Sequence, residues 1–243
     1  MIMTKKTVIT EKALLYRLGC PIRAAGSTTT LESPLLLPAE ATASWLMAEI
    51  AAGRPPSARQ TRECFDHYWK QTTYFQSRAG IPTKKYEGMI MKYAHGCWRL
   101  RELIWGREIL QLVSPYELTI GEVVITGEYA VLRSKRKKAA QVLYLREGGV
   151  KIRPVIPDIV SFARRVDLGN RWLDSASVWA VDSISVLHYW VSQNLTVEHQ
   201  SDQRFATNAL LGAAGVVMGQ PFPILGDHCG SCPTHACRDC LDS

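Results

Sequence analysis

The last fifteen residues of this 243-residue chain contain four cysteines, and this cluster constrains the fold more than any other feature of the sequence. They are Cys229, Cys232, Cys237 and Cys240, in the pattern C-x2-C-x4-C-x2-C. Two thiolates separated by two residues reach one metal centre from a single tight turn. In a reducing compartment, this pattern and the odd total of seven cysteines favour metal binding over disulfides.

Two metal chemistries fit these cysteines. The four terminal cysteines alone can close a tetrahedral zinc site, because four local ligands need no help from elsewhere in the chain. Alternatively, three of them join Cys20 around an iron-sulfur cluster, which would tie the two chain ends together. His228 and His235 are alternative ligands, although a surface position is the preferred interpretation of His235. Spacing alone favours zinc.

Composition is typical of a globular chain with one large domain or two small ones, since 47% of the residues are hydrophobic and 21% are charged. The longest run of apolar or small residues, Ala209 to Gly219, is about half the roughly 20 residues needed to cross a bilayer. The first 19 residues carry scattered charges and lack the apolar core of a signal peptide. We therefore expect a cytoplasmic protein with no membrane partner.

The densest group of basic residues lies in one short segment, although the net charge of +7 is moderate. The segment consists of Arg133, Lys135, Arg136, Lys137 and Lys138, and strand-like runs flank it on both sides. It is therefore predicted to be a hairpin whose cations contact nucleic-acid phosphates, with a solvated loop as the alternative.

A second cationic segment alternates with aromatic residues, namely Trp98, Arg99, Arg101, Trp105 and Arg107. Such a helical face can stack on single-stranded bases, but core packing of the tryptophans is the preferred interpretation.

Hydrophobic patterns predict a helical first half and a strand-rich second half. Helices are predicted at Glu11 to Cys20, Ala39 to Ala52, Ser57 to Phe75, Lys84 to Leu112 with an interruption near Gly96, Asp158 to Val166, Arg171 to Val181 and Asp202 to Met218, with Thr28 to Pro38 as a loop. Strands are predicted within Leu118 to Leu132 and at Gln141 to Leu145, Val150 to Ile156, Val186 to Val191 and Leu195 to His199. The economical interpretation is a single α+β domain, with a helical part at about 11–112, a sheet core at about 116–200, and the last helix and tail at 202–243.

The segments Leu-Gly-Cys-Pro-Ile-Arg near the start and Pro-Phe-Pro-Ile-Leu-Gly-Asp-His-Cys-Gly-Ser-Cys-Pro near the end carry a family resemblance. Together they resemble the iron-sulfur branch of the PD-(D/E)XK nucleases, which includes RecB-like exonucleases, the nuclease half of AddB and the four-cysteine exonucleases associated with CRISPR. The resemblance implies a nuclease-like core, a central mixed sheet flanked by helices, with a helical N-terminal region and a Cys-rich C-terminal tail.

The resemblance also implies a [4Fe-4S] cluster held by Cys20, Cys229, Cys232 and Cys237, so iron-sulfur becomes favoured over zinc. The last gap is one residue shorter than in the family, and Cys240 is therefore an alternative to Cys237. Cys64 and Cys97 lie in aromatic-rich segments and are interpreted as core thiols.

The resemblance implies metal-binding acids and a lysine on two adjacent strands, but this sequence lacks them. Ala130 stands where the first strand would carry aspartate, and Leu143 and Leu145 stand at the acid and lysine positions of the second. The helix predicted at Ala39 to Ala52, where the family carries a histidine, contains none, and no Q-x-x-x-Y motif occurs in the chain. Apolar side chains cannot ligate Mg²⁺ or Mn²⁺, so no catalytic residue is predicted.

Displaced carboxylates are the main alternative to a loss of catalysis. The strand alternation puts Glu128 on the same face as Ala130, which makes it the best candidate, although a solvated strand-edge carboxylate is the preferred interpretation. The sequence therefore predicts a catalytically inactive nuclease-like protein that acts as a nucleic-acid-binding or scaffold subunit. Its expected partners are other protein subunits, with DNA as a candidate. An active metal-dependent DNA exonuclease and a purely structural subunit of a viral or defence assembly are the alternatives.

Overall fold

The computed structural model describes residues 6–11, 13–14, 35–72, 83–134, 136, 138–147, 163–168, 181–199 and 203–219. The elements, in chain order, are β1 (Thr7–Thr10), α1 (Leu36–Ala51), α2 (Ala58–Gln71), α3 (Thr83–Trp105), β2 (Arg107–Ile120), β3 (Val123–Ser134), β4 (Ala139–Arg146), β5 (Ser183–Trp190), a 3-10 turn (Val191–Gln193), β6 (Leu195–His199) and α4 (Gln203–Met218). Residues 163–168 are also helical. The chain is α+β, with a mixed six-stranded sheet flanked by helices, as the sequence predicted.

Helix α1 confirms the predicted helix but begins at Leu36, so residues 36–38 are helical and not part of a loop. Pro38 is tolerated there because the amide groups of a first helical turn have no partner within the helix. Past the other end of α1, Gly53 has a positive φ of 73°, which is typical of a residue that follows a helix.

Helix α2 begins with a capping box. The Ser57 hydroxyl accepts a hydrogen bond from the backbone N–H of Gln60 at 3.3 Å. In return, the side-chain oxygen of Gln60 accepts one from the backbone N–H of Ser57 at 2.8 Å. The helix ends at Gln71, because the backbone of Thr72 is extended. The predicted end at Phe75 lies outside the described residues.

Helix α3 corrects the prediction of an interrupted helix over Lys84 to Leu112. The helix is continuous through Gly96. This glycine does not break the helix but allows a close contact with another part of the chain. A Cβ atom at Gly96 would lie 1.9 Å from the backbone oxygen of Val191, and the Tyr189 hydroxyl donates to the Gly96 carbonyl at 2.6 Å. Residues 107–112 were wrongly predicted as helix; they belong to β2, which pairs with the end of β3.

Strand β3 is paired along both of its edges and contacts three other strands of the sheet. One edge pairs with β2 in antiparallel fashion over nearly the whole length of β3. The other edge pairs first with β1, which is parallel and opposite 123–126, and then with β4, which is antiparallel and opposite 130–133. The carboxyl ends of β1 and β4 therefore point toward each other across a gap opposite residues 127–129.

The sheet separates two hydrophobic clusters. The first contains Ala130, Leu143 and side chains of α1, α2 and α3. The second contains Tyr116, Tyr129 and side chains of α4 and of the helical residues 163–168. Because successive strand residues point to opposite faces, neighbours such as Tyr129 and Ala130 enter different clusters.

Most of the predicted strands are confirmed with small changes at their ends. The hairpin around the basic segment joins β3 to β4, and the strands predicted at Val186 to Val191 and Leu195 to His199 correspond to β5 and β6. Strand β1 was not predicted. The strand predicted at Val150 to Ile156 and most of the helices predicted at Glu11 to Cys20, Asp158 to Val166 and Arg171 to Val181 lie outside the described residues, although Val181 itself is described and is not helical. Within the described part of the chain, no helix is long and apolar enough to cross a membrane.

Candidate functional site

A cleft of about 460 Å³ opens at the gap between β1 and β4. Its walls include Glu11 at the end of β1, residues 126–130 of β3, residues 143–145 of β4 and one side of α1. Side chains from both hydrophobic clusters reach it. The cleft therefore lies where the ends of two strands converge, a position at which side chains from several elements can meet.

The three positions at which the resemblance implies catalytic groups lie together in this cleft. Ala130 pairs directly with Leu143, and Leu145 lies two residues farther along the same face of β4. All three are buried and pack in the cluster formed with α1, α2 and α3. This part of the cleft is therefore an apolar floor, defined by Ala130, Leu143 and Leu145.

A buried ion pair stands opposite the apolar floor. The Arg164 guanidinium donates from Nε and Nη2 to the two carboxylate oxygens of Glu11, each at 2.6 Å. Glu11 is 5% exposed and Arg164 8% exposed, so the pair is largely removed from water. The Tyr116 hydroxyl also donates to Glu11. The carboxylate therefore has its charge balanced within the chain.

The buried network alters the protonation of its members. Burial tends to lower the pKa of Arg164, but the Glu11 carboxylate outweighs this and raises the pKa above its ordinary value. Burial raises the pKa of Tyr116, and the charge of Glu11 raises it further. Burial also raises the pKa of Tyr144 to about 12, against an opposing effect of Arg164. Arg164 therefore stays cationic and both tyrosines stay neutral at physiological pH.

The Glu11 carboxyl group is seated directly against the backbone of β3. A Cβ atom at position 127 would lie 2.4 Å from Glu11 Cδ, so only glycine leaves room for the carboxyl group. On the same side of the sheet, the Tyr129 hydroxyl donates to Asp167, which lies on the helical segment that carries Arg164. The sheet and this segment are therefore joined by two buried polar contacts.

Three further glutamates line the cleft. They are Glu40 on α1, Glu117 on β2 and Glu128 on β3. Glu40 is half-buried, whereas Glu117 and Glu128 are exposed. Glu128 and Ala130, which alternation predicts on one face of β3, both line the cleft.

The cleft residues do not fit the divalent metal that the nuclease resemblance implies. The apolar floor supplies no oxygen ligand from its side chains, and Arg164 holds both oxygens of Glu11. Among the described residues, there is no group of three or more His, Cys, Asp or Glu side chains that could hold a metal ion.

Three of the five predicted phosphate contacts of the basic hairpin, Arg133, Arg136 and Lys138, lie within the described residues. Arg133 lies at the end of β3 and donates from Nε to Glu108 on β2 at 2.8 Å. Arg136 and Lys138 are exposed at the turn. The other two predicted phosphate contacts, Lys135 and Lys137, lie outside the described residues.

The aromatic and cationic residues of α3 form a stacked group. The Arg101 guanidinium lies 4.8 Å from the Trp98 ring centroid and 5.8 Å from that of Trp105. Its Nε donates to the Pro56 carbonyl at 2.9 Å, which fixes the side chain. Trp105 is 48% exposed, so core packing, the preferred interpretation, does not account for this tryptophan.

The predicted ligands of the metal centre, Cys20, Cys229, Cys232, Cys237 and Cys240, all lie outside the described residues. Cys97 is fully buried, which confirms that it is a core thiol. Cys64 is half-buried, and burial raises its pKa to about 11 despite a hydrogen bond with Thr42 that lowers it. Neither thiol is activated for reaction at neutral pH.

The sequence interpretation missed the Glu11–Arg164 pair. The two residues are 153 positions apart, and nothing local links them. One signal was present for Glu11, because it lies three residues before Leu14, and such a spacing puts two residues on one face of a helix. Leu14 is 1% exposed, so Glu11 shares a buried face.

Comparisons with known proteins add little to this geometry. No family model matches the chain, and no curated protein matches it. A crystal structure described as SSO0001 aligns over 95% of this chain and 85% of its own, with 13% identity and a TM-score of 0.42. A likeness of this strength carries no argument about function.

Proposed function

We propose that this chain is a catalytically inactive, iron-sulfur PD-(D/E)XK nuclease-like protein that serves a larger complex as a nucleic-acid-binding or scaffold subunit. The observation that carries the proposal is the apolar floor. Ala130, Leu143 and Leu145 come together in one cleft, so their alignment with the family's catalytic positions is spatially coherent. Their side chains offer a divalent cation nothing to bind.

The lack of catalysis is tested by incubating the purified protein with labelled linear DNA and Mg²⁺ or Mn²⁺. We expect no degradation beyond that of a no-protein control. The alternative, an exonuclease with displaced carboxylates, draws on the glutamates that line the cleft. Metal-dependent digestion by the wild type that Glu128→Ala abolishes would establish that alternative.

Nucleic-acid binding is proposed for the basic hairpin, with Arg136 and Lys138 as its exposed described members. Replacing Lys135, Arg136, Lys137 and Lys138 by glutamine should weaken DNA binding. It should also reduce the slope of log affinity against log salt concentration by about 0.7–0.9 for each phosphate that the hairpin no longer neutralises. Arg133 is left intact because it pairs with Glu108 on the neighbouring strand.

A matched control removes the same charge elsewhere. Arg54, Arg59, Arg62 and Lys70 lie in or next to α2 and are exposed, and the three arginines form surface ion pairs, which contribute little to stability, with Glu49, Glu63 and Asp66. Replacing these four by glutamine lowers the net charge equally and should leave DNA affinity closer to that of the wild type. An equal loss in both variants would show that only total charge matters. No affinity in the wild type, with stable co-purification of another protein, would favour the scaffold role.

The cluster is proposed on the cysteine pattern and the resemblance, with Cys20, Cys229, Cys232 and Cys237 or Cys240 as ligands. Anaerobic purification should give a brown protein that contains iron and sulfide. A colourless protein with stoichiometric zinc would establish the zinc alternative. A cytoplasmic location belongs to the same proposal, because a reducing compartment favours thiolate ligands over disulfides.

A further inference from the structure

We propose that Arg164 is the resident cation of the cleft: its guanidinium occupies the place in which Glu11 and the end of β4 would otherwise hold a divalent metal ion, and so closes the cleft to such ions. The inference deepens the proposed lack of catalysis and rests on the same cleft. It is tested by cation binding, so it can fail separately from the proposed function.

The oxygen atoms around Arg164 are of the kind that hard cations prefer. Both Glu11 oxygens accept from the guanidinium at 2.6 Å, and the Leu143 carbonyl lies 3.5 Å from Nη1. Carboxylate and carbonyl oxygens are the usual ligands of Ca²⁺ and Mg²⁺. Here a positive charge from the chain itself lies between the carboxyl end of β1 and the carboxyl end of β4.

Arg164 is built into this position. It is 8% exposed, and its neighbours Ala163 and Leu168 are buried in the second hydrophobic cluster. The guanidinium also lies 4.6 Å from the Tyr144 ring centroid, a favourable cation–π arrangement. A divalent ion would have to displace a buried, bidentate partner that is held on several sides.

The Glu11 carboxylate is equally fixed. Gly127 leaves space for it against β3, and Tyr116 donates to it from β2. Removal of the guanidinium therefore leaves the Glu11 carboxylate fixed in position with an uncompensated charge. We expect that vacated space to bind either a divalent cation or a free guanidinium ion.

The experiment measures Mn²⁺ binding by electron paramagnetic resonance for the wild type, Glu11→Gln, Arg164→Ala and the double variant. Arg165→Ala is the matched control, because Arg165 is the next residue and is only half-buried. The wild type and Glu11→Gln should bind Mn²⁺ alike. Arg164→Ala should gain a Mn²⁺ site whose affinity exceeds that of the wild type by an order of magnitude or more. Adding Glu11→Gln to this variant should remove the site.

Free guanidinium at millimolar concentration provides a second measurement. It should compete with Mn²⁺ and raise the melting temperature of Arg164→Ala, but not that of the double variant. Should Arg164→Ala fail to fold, Arg164→Lys takes its place, since an ammonium group cannot engage both carboxylate oxygens as the planar guanidinium does. That variant should melt lower than the wild type and bind more Mn²⁺ through Glu11.

Two results would overturn the inference. One is Mn²⁺ binding by the wild type that depends on Glu11. The other is Mn²⁺ binding by the Arg164 variants that does not exceed that of Arg165→Ala. Cleavage of DNA by the wild type without Glu11-dependent Mn²⁺ binding would contradict the proposed lack of catalysis. It would still support the inference that Arg164 occupies the cation position.

Discussion

The two sides of the sheet differ most where β1 and β4 converge. On the side of α1 and α3, the apolar floor of Ala130, Leu143 and Leu145 is packed against helices. On the other side, Glu11 and Arg164 form a buried pair that shares the same cleft. One side is stabilised by removing apolar surface from water, and the other by balancing charges that have already lost their water.

This difference shows that one cleft can be apolar on one side of a sheet and still hold buried charge on the other. A buried carboxylate is tolerated only with a partner, and Arg164 supplies that partner from a distant part of the chain. The side of the sheet with Glu11 and Arg164 is the polar side. Its single substitutions should lower stability more than those of the apolar floor, because one change there leaves a charge without its counterpart.

Glu11→Ala should give the largest loss. It leaves the Arg164 guanidinium buried without its carboxylate, and breaking a buried pair in this way costs about 3–5 kcal/mol in the free energy of unfolding. Urea denaturation measures the change. Glu117→Ala is the control, since this glutamate lines the same cleft but is exposed and should cost about 0.5 kcal/mol or less. Equal losses for both variants would contradict the special role of the buried pair.

Leu143→Ala tests the apolar floor. Leu143 is 5% exposed, and truncating a buried leucine costs about 2–5 kcal/mol through lost burial and the cavity left behind. Leu112→Ala is the matched control on β2, because Leu112 is 44% exposed and its truncation leaves no enclosed cavity. Chemical denaturation should separate the two variants clearly. A near-neutral Leu143→Ala would mean that the floor is loosely packed.

Gly127→Ala tests how closely Glu11 is seated against β3. The new Cβ would meet the Glu11 carboxyl group at 2.4 Å, and we expect a loss of about 1–3 kcal/mol as the pair shifts. In a Glu11→Ala background the same substitution should cost much less, so the two effects should not be additive. Gly88→Ala on α3 is the control, because open space surrounds that position. Additive losses at Gly127 and Glu11 would show that the two do not touch.

Local patterns predicted the parts of this cleft that depend on neighbouring residues. Alternation along β3 predicts Glu128 on the same face as Ala130, and the dense basic segment marks the hairpin between the two strands, whereas the grouping of Leu143 and Leu145 with Ala130 is what the family resemblance implied. The alternation and the hairpin involve residues close in sequence, so local patterns are enough to predict them.

Long-range relations were beyond those patterns. Strand β1 has only four residues, so its hydrophobic alternation is too short to identify a strand. Its partners on β3 lie 116 positions later in the chain. Gly96 was interpreted as a break because its close contact with Val191 exists only in the folded chain. The pairing of Glu11 with Arg164 likewise follows from the sheet topology and not from any local spacing.

The smallest expected change in stability is the one that alkaline pH causes through the ionisation of Tyr144, beside the Glu11–Arg164 pair. Tyrosine in an unfolded chain ionises near pH 10, whereas burial raises the pKa of Tyr144 to about 12 in the folded protein. The contribution of Tyr144 to stability is therefore complete below pH 10 and is lost as the pH rises toward 12. Tyr144→Phe keeps the ring beside Arg164 but removes this titration, so it should be more stable relative to the wild type at pH 10.5 than at pH 7, by about 1 kcal/mol. The measurement at pH 7 serves as the control. A difference between the two proteins that does not change with pH would show that the Tyr144 hydroxyl is not buried beside the ion pair.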